Sequence, residues 1–138
     1  MTANRRLAAL AAALTLAALA GCASPTPPAQ ESAKVAEANR TVPICRAAKE
    51  CELMWAAARA WVIANAGMKI QHVQPDYIET FNSVGMFLAV RVVKNPMLDG
   101  SYAIEVAISC ENWLKCDRPP VDAALDFNRT VAASVKPV

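Results

Sequence analysis

Apolar side chains recur every three or four positions between residues 46 and 66, and this spacing predicts an amphipathic helix. The positions that share its apolar face are Cys51, Met54, Trp55, Ala58, Trp61 and Val62. Residues with high helix propensity fill most of the positions between them. Gly67 follows where a left-handed C-terminal cap belongs, so we expect the helix to end just before it.

After this helix the apolar residues alternate with polar ones, which is the pattern of β-strands with one buried face. Two short strands are expected at 69–73 and 77–81. The dipeptide Pro75-Asp76 between them is typical of a turn.

The strongest strand signal covers residues 86–93. One face of this strand would carry Met86, Leu88, Val90 and Val92. A fourth strand is expected over 101–109, after the turn signal Asp99-Gly100, because large apolar residues there alternate with small or polar ones.

The last apolar pattern, over residues 121–135, is again helical and is introduced by Pro119-Pro120. Its predicted face consists of Val121, Ala124, Leu125, Asn128 and Val131. The predicted order is therefore α-β-β-β-β-α. A four-stranded antiparallel sheet with both helices on one face would bury all of these stripes, which predicts an α+β fold, a two-layer sandwich.

An uncharged apolar run over residues 7–19 follows Arg5 and Arg6, as in the h-region and n-region of a signal peptide. It is too short to span a bilayer of about 30 Å comfortably. Residues 19–22, Leu-Ala-Gly-Cys, resemble the lipobox of bacterial lipoproteins. The resemblance implies transfer of a diacylglyceryl group to Cys22 and cleavage just before it. The alternatives are an ordinary secretory signal or an N-terminal membrane helix, with Cys22 incidental.

The chain then divides into a signal peptide over 1–21, a tether over 22–43 and a domain over 44–138. The second segment is rich in Pro, Ala and Ser and has no apolar period, which predicts an extended, mobile tether. Ala23 stands where lipoproteins of two-membrane bacteria commonly carry an aspartate that signals inner-membrane retention. The resemblance therefore implies attachment to the outer membrane, facing the periplasm.

The formal net charge of +2 disappears with the signal peptide, because Arg5 and Arg6 lie within it. The remaining basic residues are scattered along the chain and balance the acidic ones. Phosphate binding needs a basic patch, so nucleic acid is excluded as an expected partner.

Beyond the lipobox the chain has four cysteines, Cys45, Cys51, Cys110 and Cys116. An even number in an exported chain predicts two disulfides. Residues six apart in one helix have Cα atoms about 10 Å apart, beyond the ~7 Å that a disulfide allows. Cys45 can therefore reach Cys51 only from outside the helix, which Pro43 favours. The local pairs Cys45 with Cys51 and Cys110 with Cys116 are preferred, with crossed pairing as the alternative.

No metal, cofactor or catalytic residue is predicted. Both cysteine gaps are longer than the spacing usual in zinc sites. His72, the single histidine, lies on a predicted strand without a recognisable nucleophile and orienting acid. Five acidic residues lack the spacing of paired catalytic carboxylates or of a calcium loop: Asp76, Glu79, Glu105, Asp122 and Asp126.

Two groups of residues are candidates for an interface. Trp113 lies in the middle of the loop between Cys110 and Cys116, where a rigid aromatic could anchor a partner, or could instead fold back onto the core. Tyr77, Glu79 and Phe81 project from one side of a short strand, which we place at a sheet edge open to strand addition.

Residues 61–71, 78–82 and 109–112 resemble segments of small uncharacterised lipoproteins of Proteobacteria. This resemblance supports an envelope location and implies no activity.

Three functions are therefore compared. The first is a membrane-anchored, non-enzymatic module that binds another envelope protein or has a structural role. The alternative is a periplasmic lipoprotein that binds a small molecule or peptide, for which Trp55, Trp61 and Tyr102 should line an apolar cavity. An enzyme would require a cleft in which His72 meets an acid and a hydroxyl.

Overall fold

The computed structural model describes residues 28–112 and 115–135. In chain order its elements are α1 (Ala29–Arg40), β1 (Ile44–Cys45), α2 (Ala48–Asn65), β2 (Ile70–Gln74), β3 (Tyr77–Thr80), β4 (Ala89–Pro96), β5 (Tyr102–Ser109) and α3 (Pro120–Ala133). The predicted signal peptide, Cys22 and Trp113 lie outside the described residues.

The fold is α+β, with one antiparallel sheet of five strands in the order β1-β5-β4-β3-β2. Strands β2 to β5 form the predicted meander. The prediction of four strands and two helices is wrong by one strand and one helix, because α1 and β1 precede α2. Strand β1 has only two residues, too few for alternation to be visible. It pairs with the free edge of β5, with Cys45 opposite Tyr102.

Helix α2 buries Met54, Ala58, Trp61 and Val62, which belong to the predicted face. At its start the Glu50 carboxylate accepts hydrogen bonds from the backbone N–H groups of Arg46 (2.6 Å) and Ala47 (3.3 Å). These bonds satisfy free donors at the helix N-terminus and lower the pKa of Glu50.

Gly67 ends α2 as predicted, with a positive φ of 75°. A Cβ at this position would lie 2.8 Å from Cδ1 of Phe87, so the backbone there also needs glycine for space. The Phe87 ring therefore lies close to the end of α2.

The core lies between one face of the sheet and helices α2 and α3. Its fully buried strand residues include Ile78, Val90, Val92 and Ile104. The predicted strand 86–93 is wrong at its start, because β4 begins at Ala89 and Met86 lies in the preceding loop with 49% of its surface exposed. Gly85, with φ of 63°, turns the chain away from the sheet at this point.

Helix α3 is buried on two sides. Ala123, Phe127 and Val131 are fully buried in the core. Of the predicted face, Asn128 and Val131 are buried, whereas Val121 and Ala124 are only partly buried. Those two residues line a groove against α1 instead. Because α1 was not expected, the apolar residues facing it were assigned to the core.

The prediction of an extended tether over 22–43 is wrong for Ala29–Arg40, which form α1. No residue of α1 is buried, and its contacts with α3 include polar ones. Lys34 Nζ lies 2.6 Å from Asp122 Oδ1, and the buried Asn128 side chain donates to Ala38 O (2.8 Å) and Thr41 Oγ1 (3.2 Å). The helix is therefore part of the folded domain.

Both disulfides are local. Cys45 is bonded to Cys51, with 5.0 Å between their Cα atoms, and Cys110 to Cys116, with 6.0 Å. Cys45 precedes the start of α2, as the geometry of the bond requires. No helix within 28–112 and 115–135 is both long and apolar enough to cross a membrane.

The first prediction compares the two disulfides. Closing such a short loop is worth about 2 kcal/mol in the chain-entropy model, so Cys110→Ala with Cys116→Ala should lower the free energy of unfolding by about that much. Cys45→Ala with Cys51→Ala should cost about 1 kcal/mol more, since Cys45 is fully buried in the core. Urea unfolding of both double variants measures this difference. Equal losses would contradict the structural role given to Cys45.

The second prediction concerns the attachment of α1. Asn128→Leu removes the donor to Ala38 O and Thr41 Oγ1, so α1 should detach more often while the core keeps its protection. Hydrogen exchange followed by mass spectrometry should show faster exchange in residues 29–40 alone. Arg129→Leu, at an exposed neighbouring position, is the matched control. Unchanged exchange in α1 would show that Asn128 does not hold it.

Candidate functional site

Strand β3 lies inside the sheet, between β2 and β4. The predicted edge position of Tyr77, Glu79 and Phe81 is therefore wrong, because the β2–β3 hairpin places β2 at the edge. Tyr77 and Glu79 lie on the sheet face opposite the core, where they pair with Val93 and Arg91 of β4. Burial and the nearby Glu79 carboxylate raise the pKa of Tyr77. Phe81 follows the end of β3.

His72 is exposed on the edge strand β2, directly opposite Glu79 in the register. The acidic candidates are dispersed: Asp76 lies in the β2–β3 turn and Glu105 on the uncovered sheet face. On α3, Asp122 contacts Lys34. Within the part of the chain that the structure describes, no three His, Cys, Asp or Glu side chains are placed to hold a metal ion.

Of the three aromatic residues expected to line a common cavity, Trp55 and Tyr102 share a neighbour, Lys94, whereas Trp61 packs against Phe127. The rings of Trp55 and Tyr102 lie 5.3 and 5.7 Å from the Lys94 ammonium, as in cation–π contacts. Trp61 is buried and packs edge-on against Phe127, with 5.3 Å between the ring centres. Trp55 and Tyr102 therefore face a common cation, whereas the Trp61 ring is used in core packing.

A polar cluster closes one side of Trp61. Its indole Nε1 donates to Asp126 Oδ2 at 2.8 Å, and Arg118 Nη2 donates to the same oxygen at 3.2 Å. The Arg118 guanidinium also lies over the Trp61 ring, 5.3 Å from its centre. The hydrogen bond from Trp61 lowers the pKa of Asp126 most, with help from Arg118 and against the effect of burial. This cluster joins α2 to α3 and is structural.

The loop between β3 and β4 is exposed and is held by a second loop. Two loops, 81–88 and 110–117, are joined there by hydrogen bonds. Glu111 Oε2 accepts from Gly85 N (2.8 Å), Glu111 N donates to Ser83 Oγ (2.7 Å), and Asp117 N donates to Met86 O (2.9 Å). The Cys110 to Cys116 disulfide closes the second loop. The backbone of the first loop is thus fixed from outside.

Four large apolar side chains are exposed on this fixed loop. They are Phe81 (47%), Val84 (62%), Met86 (49%) and Phe87 (49%), and we call this group the apolar end. Single exposed apolar residues are normal on a surface, so four of them on one ordered loop mark this loop as a candidate binding site. The sequence prediction identified only Phe81. Asn82, Ser83 and Gly85 are turn formers. Large apolar residues beside such turn formers are the signal that could have identified Val84, Met86 and Phe87.

A groove of about 820 Å³ separates the starts of α1 and α3. Its lining includes Pro28 and Val35 from the α1 side, Ile108 from β5, and Cys116 and Pro120 before and at the start of α3. Its apolar and polar groups are mixed, and Lys34 and Asp122 pair across it.

Comparison of the chain with protein-family models, with curated proteins and with solved structures finds no match. The candidate site is therefore defined by this chain's own geometry.

The third prediction concerns acid stability. Since the pKa of Asp126 is lowered by folding, its contacts stabilise the fold fully above about pH 4 and are lost as the pH falls through the lowered value. Asp126→Asn removes the titrating group, so the free energy of unfolding should fall less steeply below about pH 4. Trp61→Phe keeps an aromatic ring but removes the N–H donor. It should also make the free energy of unfolding depend less on pH. Urea unfolding at several pH values around and below about pH 4 measures this pH dependence. The same dependence in both variants as in the wild type would contradict the role given to the Asp126 contacts.

Proposed function

We propose that this chain is a lipid-anchored protein of the cell envelope, attached through Cys22, and that its domain is an interaction or structural module. The lipobox-like residues 19–22 behind an apolar run support the anchor. Two disulfides support export to an oxidising compartment. Ala23 after the lipid site favours the periplasmic face of an outer membrane.

The observation that carries the interaction role is the apolar end. Exposing Phe81, Val84, Met86 and Phe87 to water is unfavourable, and a domain with a sealed core elsewhere gains nothing in folding from it. The loop that presents them is held by hydrogen bonds to the disulfide-closed loop, so its shape is preorganised for contact.

A non-enzymatic role is favoured by the placement of the titratable residues. His72 is exposed at the sheet edge, opposite Glu79, and does not line the groove between α1 and α3. The Asp126 carboxylate already accepts hydrogen bonds from Trp61 and Arg118. We therefore assign these groups to stability and solubility.

The groove between α1 and α3 supports a second candidate, the binding of a small molecule or peptide. Its volume of about 820 Å³ is within the range of ligand pockets. It lies away from Trp55, Trp61 and Tyr102, so such a ligand would contact Val35 and Ile108 instead.

The fourth prediction tests the anchor and the partner together. Cys22→Ser should move the protein from the membrane fraction to a soluble or unprocessed form, because no acyl chain can be attached to serine oxygen by this route. In-cell crosslinking of the tagged wild-type chain, followed by mass spectrometry, should identify a protein or membrane partner that the variant loses. Normal maturation and membrane attachment of the variant would contradict the proposal. An attached protein that captures nothing would instead favour ligand binding in the α1–α3 groove.

A further inference from the structure

Several elements reach the same end of the molecule. Helices α1 and α3 run in the same direction, because Lys34 meets Asp122 near their starts and Ala38 meets Asn128 further along. The start of α1 also shares the groove with Cys116, in the loop that is hydrogen-bonded to the apolar end. The first described residue, Pro28, therefore lies at the end of the domain that carries the apolar end.

The chain between Cys22 and Pro28 is short. Six Cα-to-Cα steps separate the two residues, which limits their separation to about 22 Å even if the segment is fully extended. With the predicted tether over 22–43 the domain could have stood far from the membrane in any orientation. Since α1 belongs to the domain, its start must stay near the leaflet that holds the lipid.

This limit also restricts orientation. The opposite end of the sheet is the turn between β4 and β5, where Leu98 is fully exposed. From the level of Val90, which pairs with Ile108, to Pro96 at the end of β4 the chain advances about 20 Å along the strand direction. With that turn on the membrane, the link from Cys22 to Pro28 would have to be almost fully extended, whereas the opposite orientation leaves it slack.

The charges on and just after the loop that is hydrogen-bonded to the apolar end are balanced. The disulfide-closed loop and the residues after it contribute Glu111, Lys115, Asp117 and Arg118, which are two acids and two bases. These residues therefore do not form a polybasic surface of the kind that binds anionic headgroups. The exposed Phe, Val and Met side chains are instead suited to the boundary between headgroups and acyl chains.

We propose that the apolar end is a second membrane contact, which inserts Val84, Met86 and the neighbouring Phe side chains into the leaflet that carries the lipid of Cys22. This inference rests on the proposed lipid anchor. In this proposal the molecule that the apolar end contacts is phospholipid. The domain then stands with the start of α1 and both loops on the membrane, and the β4–β5 turn points away.

The fifth prediction tests this orientation by photocrosslinking in the full-length chain. A benzophenone amino acid is placed at Val84, at Met86 in a second variant, and at Leu98 as the matched exposed control. After irradiation of bacterial cells that produce each variant, the membrane fraction is isolated and the adducts are identified by mass spectrometry. Non-reducing gels with thiol labelling verify that both disulfides are intact.

Phospholipid adducts should be at least about tenfold more abundant at Val84 and Met86 than at Leu98, since burial of even one large apolar side chain is worth that factor. Equal capture at the two ends, or capture of a protein in place of lipid at Val84, would overturn the inference. So would the absence of lipid adducts from a protein that remains in the membrane fraction. Loss from that fraction would instead show that the lipid anchor itself is absent, and both proposals would fail.

Discussion

The edge-on contact between Trp61 and Phe127 is the interaction on which the arrangement of this domain depends. It joins two helices that are far apart in sequence, at 5.3 Å between ring centres, over the buried face of the sheet. Such a contact contributes about 1 kcal/mol beyond the burial of the two rings. Asp126, the residue before Phe127, accepts the indole hydrogen bond and fixes the direction of the Trp61 ring. Helix α3 is thereby fixed in both position and rotation.

The rotation of α3 determines where α1 and the groove lie. With Phe127 directed into the core, the next residue, Asn128, is directed toward α1 and donates to Ala38 O. Asp122, near the start of the same helix, meets Lys34. This surface ion pair adds little stability by itself, but it acts with the buried amide to set the direction of α1. The position of Pro28 therefore follows from the packing of α3.

Residues with a strong local pattern were predictable from the sequence, and those positioned by distant contacts were not. The buried face of α2, the cap at Gly67, the meander β2 to β5 and the two local disulfides all follow from spacing within short segments. Helix α1 does not, because polar contacts with Asn128 and Asp122 fix it and its surface has no apolar period. Its composition, rich in Ala and with Gln, Glu and Lys after Pro28, was the available signal. For the site, Phe81 was predicted, but its strand was placed at a sheet edge, whereas β3 lies inside the sheet.

The short link between Cys22 and Pro28 explains how so small an apolar surface could be effective. Four partly exposed side chains would bind a membrane only weakly from solution, because association costs translational and rotational freedom. A lipid anchor removes most of that cost, since a short link holds the second contact at an effective concentration of about millimolar or more. The anchor would then supply the affinity, and Phe81, Val84, Met86 and Phe87 would supply the orientation. A domain oriented in this way would present the uncovered sheet face and the β4–β5 turn to the compartment away from the membrane. These are the surfaces that a protein partner could then reach without competing with the membrane.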